Sequence, residues 1–207
     1  MSTQALQFAS ADDSEELARA ELYGLLARLW IAPPDAEMLQ RFAVEVTQAP
    51  QPDAFLEGPW QTLVAAMRAT TPQQAGEEYD ALFLGVGKPE VFLFGSFYLT
   101  GFLHEKPLAQ LRTDLAALGL MRDEQRGETE DHIAALCEVM RYLIAGDDVG
   151  VCNLEQQRRF FRAHLQPWVE KLCDAVEAQP RAEVYRALAG LTRAFVQVEI
   201  QGFDLLA

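Results

Sequence analysis

Leu17, Leu22, Leu25, Leu26 and Leu29 fall on one face of a 3.6-residue repeat, with Tyr23 and Trp30 widening the stripe. That period predicts an amphipathic helix. Asp12, Asp13, Glu15 and Glu16 suit its positive N-terminal end, and Pro33 and Pro34 stop it. A second helix is expected from about 35 to 48, carrying Met38, Leu39, Phe42, Val44 and Val46 and closed by Pro50 and Pro52. Pro59 opens a third with Trp60, Leu63, Val64 and Met67. Thr71-Pro72 is a cap followed by a tolerated first-turn proline, and Tyr79, Leu82 and Phe83 load one face of the fourth. Residues 85–95 (GVGKPEVFLFG) read as an apolar, glycine-flanked loop. Further helices are expected over 96–104, from 107 to a stop at Gly119, over 129–145, and from an Asn153 cap to Leu165. Pro167 forces a break before Trp168 and Leu172, and a last helix spans about 181–201 with Val184, Leu188, Leu191, Phe195 and Val198 as its stripe. Residues 122–128 are a polar linker.

No segment alternates apolar and polar positions between turn signals, so no sheet is expected. The fold class is all-α, a single globular bundle of about nine or ten helices. At 207 residues one domain over 1–207 suffices, with 1–12 expected to be flexible. Half the residues are hydrophobic and 23% charged, which excludes a disordered chain. The 31 acids against 17 basic residues give a net charge of −14. Nucleic acids and anionic membranes are therefore poor partners, whereas a cationic ligand would be drawn in.

Cys137, Cys152 and Cys173 form no C-x-x-C and are odd in number, which fits buried thiols in a reducing compartment. The N-terminus lacks the basic start of a signal peptide and no apolar run reaches bilayer length, so a cytoplasmic protein without membrane insertion is expected. Metal chemistry has no footprint: His104, His132 and His164 share no ligand spacing, and the sequence contains no Glu-x-x-His pair. Gly85-Val86-Gly87-Lys88 follows no strand and is not a phosphate loop. No nucleophile elbow exists, so neither a cofactor nor an enzyme is expected.

The densest polar cluster is Glu128-Thr129-Glu130-Asp131-His132, at the start of a helix apolar on one side. Three carboxylates there complement a helix dipole. On a helix, adjacent Asp131 and His132 splay about 100° apart, which suits two contacts along a groove wall better than a proton relay.

Glu128-x-x-Asp131-His132 resembles the E-P-x-D-H signature of the TorD/DmsD/NarJ group of cytoplasmic chaperones for molybdenum-containing redox enzymes. Two more stretches agree in order. Glu78-Tyr79-x-x-Leu82-Phe83-x-Gly85 is similar to the group's Y-x-x-L-F-x-G-P, and its loop returns through Pro89 to Ser96-x-Tyr98. Phe160-Phe161-x-x-His164-Leu165-x-Pro167-Trp168 resembles its late F-x-x-x-H-L-x-P-W. Thr129 and Val86 stand where the group has proline.

The resemblance implies a chaperone that binds the twin-arginine signal peptide, or the N-terminus, of a molybdenum-containing oxidoreductase precursor and holds it for cofactor insertion. It implies a peptide site at Asp131, His132 and Glu128, joined by Phe83, Gly85, Pro89, Phe94, Ser96 and Tyr98 from the central loop. Phe92, Phe94, Phe97 and Tyr98 also read as ordinary core packing. GTP and the molybdenum cofactor machinery as further partners, and a monomer or a helix-exchanged dimer, stay open at this level. Two other classes compete: an interaction adaptor without leader recognition, and a small helical hydrolase using Glu128, Asp131 and His132 as acid and base.

Overall fold

In a computed structural model, residues 11–44, 55–85, 87–122 and 127–205 are described. The expectations for residues 1–10, 45–54, Val86 and 123–126 lie outside them. Ten α-helices occur among the described residues: α1 (Ala11–Ile31), α2 (Ala36–Val44), α3 (Glu57–Ala69), α4 (Pro72–Tyr79), α5 (Gly95–Thr100), α6 (Lys106–Ala117), α7 (Ile133–Ala145), α8 (Leu154–His164), α9 (Val169–Glu177) and α10 (Val184–Leu205). Only Phe94 and His132 pair as β-residues among the described ones, as an isolated antiparallel bridge. The chain is all-α.

Several starts follow directly from local chemistry. Thr71 and Gln74 form a reciprocal capping box on α4, with Pro72 behind it, and the Asn153 side chain accepts from the Gln156 N–H at 3.1 Å to open α8. Other boundaries differ from the periodicity. The helix expected from 129 begins at Ile133, because Asp131 and His132 are drawn toward the loop before α5 and His132 is extended (φ −64°, ψ 135°). The segment expected as helix to His104 stops at Thr100, since Gly101 and His104 adopt φ of 84° and 62°. Between α4 and the central loop, Asp80–Leu84 widens into a π turn, with the Gly85 N–H reaching the Asp80 carbonyl at 3.1 Å.

The long helices α1 and α7 lie against each other, and α10 packs on both α3 and α9. Trp30, Tyr79, Phe83 and Tyr185 form an aromatic cluster between α1, the π turn and α10, with Phe83 and Tyr185 edge-on at 4.9 Å. Across the other end, Arg19 of α1 grips Glu199 of α10 through two 2.8 Å bonds, and the Tyr23 hydroxyl donates to the same carboxylate at 3.0 Å. Such a buried pair costs desolvation on both sides and holds only because its lone pairs are filled.

Candidate functional site

Asp131 and His132 sit where the central loop crosses the start of α7, each only 3% exposed. The Gly95 N–H donates to the Asp131 carbonyl and the Ile133 N–H to the Leu93 carbonyl, both at 2.9 Å, and this antiparallel crossing fixes 93–95 against 131–133. Asp131 then uses both carboxylate oxygens. Oδ2 accepts the Ser96 N–H at 2.9 Å, in the first turn of α5, and Oδ1 accepts the Thr129 hydroxyl at 2.6 Å. His132 caps α7: its Nδ1 accepts the Ala134 N–H at 3.1 Å, so the neutral ring carries its proton on Nε2. Burial pushes the His132 imidazole down to about 4 against the opposing pull of Asp131. Phe94 packs edge-on against that ring at 5.1 Å. The two residues therefore tie a loop to two helix starts, where the sequence placed them on a helix face with side chains free to reach outward. Glu128 is exposed, and its charge acts on Tyr79 rather than at the cleft.

The late aromatic motif meets the same crossing. Trp168 donates its indole N–H to the His164 carbonyl at 2.6 Å and stacks on Tyr98, ring centres 5.6 Å apart and 15° from parallel. His164 Nε2 meets Asp114 Oδ2 of α6 at 2.9 Å. Burial lowers the His164 pKa, with Asp114 pulling the other way. A Cβ on Gly95 would stand 2.9 Å from the Trp168 indole nitrogen, so only glycine lets the loop approach this closely.

Between these pieces opens a cleft of about 100 Å³, bordered by Ser96, Leu99, Leu111, Leu136, Ala163 and Trp168 among others. Leu99 on its border is exposed, as is Phe102 just beyond the end of α5. Of the residues the sequence singled out, Ser96 and Asp131 border the cleft, Tyr98 stacks on its Trp168 wall, and Phe94 packs on His132, next in the chain to Asp131. Phe83, Gly85 and Pro89 do not border the cleft. Phe83 belongs to the aromatic cluster, and Gly85 makes room for the Lys88 carbonyl, which a Cβ there would meet at 2.5 Å.

The Glu78-Tyr79 pair has a structural task. The Glu78 carboxylate accepts the N–H groups of Glu183, Val184 and Tyr185 at 2.8 to 3.1 Å, capping α10 from more than a hundred residues away. The Tyr79 hydroxyl donates to the Ile31 carbonyl at the end of α1, 2.9 Å away. Sequence reading missed the Glu78 cap, the Gly95–Trp168 approach and the Asp114–His164 pair. Each joins distant segments, and no local spacing announces it.

Fold and site together define an all-helical protein with a loop-bounded, largely apolar cleft. Among the described residues no group of three His, Cys, Asp or Glu side chains could hold a metal ion, and no helix is long and apolar enough to cross a membrane. Residues 49–174 match the family model described as nitrate reductase delta subunit, and the chain belongs to that family. Three curated relatives, each named Chaperone protein TorD, come from Vibrio cholerae serotype O1 strains O395, M66-2 and N16961. Each is 27% identical over 132 residues, 60% of this chain, and the matched segment spans 60% of each relative's own length.

Proposed function

We propose that this chain is a non-enzymatic, cytoplasmic maturation chaperone that binds the N-terminal leader of a molybdenum-containing oxidoreductase precursor until the cofactor is inserted. Family membership and the relatives' shared name support the chaperone role. The single observation that carries leader binding is that residues of three separated motifs, Gly95 and Ser96, Asp131, and His164 and Trp168, border one cleft.

A twin-arginine leader joins a cationic start to an apolar stretch. The apolar part docks over the cleft and the exposed Leu99 and Phe102, burying surface that is costly to leave wet. The arginines meet carboxylates: Glu128, three residues before Asp131, is exposed to solvent, and the net charge of −14 raises the encounter rate. Asp131 and His132 act from inside the wall, holding the loop residues Ser96 and Phe94 in place, while Trp168 holds Tyr98. Phe83, Gly85 and Pro89 contribute by anchoring the loop's other end. Contact with GTP or the cofactor machinery is no part of the proposal.

Co-expression with the molybdoenzyme precursors of the same cell tests it. An affinity-tagged chain should retain one such precursor with its leader present and lose it when the leader is deleted. Equal retention without the leader would place this chain among interaction adaptors instead.

A further inference from the structure

Ser96 lies at the cleft, 1% exposed, yet its hydroxyl has no hydrogen-bond partner within the chain. Its backbone N–H is already held by Asp131, which fixes the residue on the first turn of α5. A buried hydroxyl left unpaired costs free energy, and the cost is recovered only when a ligand supplies the missing group. Most of the remaining lining is apolar, with Leu99, Leu111, Leu136 and the Trp168 ring, and of its polar members Asp131 and His164 already have partners within the chain.

Volume narrows the occupant. About 100 Å³ is smaller than the roughly 150 Å³ of an apolar cavity that holds benzene. It admits one aliphatic side chain, and neither a helix nor an arginine stretched with its hydration shell. We infer that this cleft is an anchor pocket for a single aliphatic side chain of the client leader, and that the Ser96 hydroxyl hydrogen-bonds the leader's main chain beside that residue. This rests on the reading of the chain as a leader-binding chaperone and adds which part of the leader is gripped and by what. The arginines then supply encounter and orientation, and the anchor supplies residence. An extended segment can present one side chain to the pocket and a peptide group to the hydroxyl at once.

Two variants and one peptide series test the inference. The probe is a synthetic leader carrying two consecutive arginines and the aliphatic run that follows, with copies in which each aliphatic residue in turn is alanine. Ser96→Ala should weaken binding of the parent leader about fivefold while the melting temperature of the free chain holds or rises, because an unpaired buried hydroxyl has been removed. A fall in melting temperature would mean that the hydroxyl is satisfied inside the free chain, and unchanged affinity would assign it to solvent; either overturns the inference. Ala163→Leu, at an exposed helical position bordering the cleft, should fill the pocket and weaken binding about tenfold with helix content intact. Unchanged binding by that variant overturns it as well. Within the series one alanine copy should dominate the loss, and losses spread evenly along the run would contradict a single anchor. Failure of the wild-type chain to bind any such leader would instead remove the chaperone reading itself.

Discussion

A carboxylate that fills three backbone donors at once explains why Glu78 precedes the tyrosine of its motif. Replacing it with alanine leaves the first N–H groups of α10 unpaired, and Glu78→Ala should cost about 2 kcal/mol in urea unfolding. A loss below about 0.5 kcal/mol would mean that water replaces the cap. His132 makes a pH-dependent contribution. Its pKa falls from 6.5 in the unfolded chain to about 4 in the fold, so the stability it confers is complete above pH 6.5 and drains away as pH drops toward 4. At most about 3.5 kcal/mol is at stake, from the shift at about 1.4 kcal/mol per unit. The lowered pKa of His164 works in the same direction. His132→Asn keeps a side-chain cap while removing the titration. Chemical denaturation between pH 7 and 4 should then show a shallower loss of stability for the variant than for the wild type. At this scale Asp131 and His132 stand out in the sequence through its densest polar cluster and through the likeness of Glu128-x-x-Asp131-His132 to a family signature. The sequence could not tell that their side chains turn inward, because their partners Ser96 and Phe94 lie some 35 residues upstream.

Helices were legible wherever their determinants are local. The Thr71-Pro72 and Asn153 starts, the double-proline stop after α1 and the break at Pro167 all follow from residues within a turn of the boundary. Boundaries moved where a distant group intervenes: α7 starts late because 131–133 pairs with 93–95, and α10 starts at Val184 under a cap supplied by α4. The π turn at Asp80–Leu84 carries no signal in a helical period. The central loop was read correctly as a break in that period, but its tight seating against Trp168 was not visible. That seating makes a prediction. Gly95→Ala forces a methyl into an indole already stacked on Tyr98 and hydrogen-bonded to the His164 carbonyl. Such crowding costs about 1–3 kcal/mol, and it should lower the melting temperature and change tryptophan fluorescence together. An unaltered melting temperature would show that the loop can shift away.

For the whole molecule, the apolar period gave the all-α architecture, since nothing in it competes with helix. The order of motifs along the chain did not reveal their convergence. Helix packing brings Gly95 and Ser96, Asp131, and His164 and Trp168 to one cleft, while 78–83 serves the α1 and α10 ends, a division that exists only in three dimensions. Net charge acts at this scale too: at −14 the chain would draw in the cationic leader of the proposed client through a field that salt screens over about 10 Å at 0.1 M. The most direct test of the account is calorimetric titration of the purified chain, at low and then at high salt, with the synthetic leaders of every exported molybdoprotein in the same cell. One leader should bind with a negative heat-capacity change and a Kd that weakens as salt rises, while scrambled copies that keep its composition do not bind. Saturable binding by none of them, or equal binding by the scrambled copies, would contradict it.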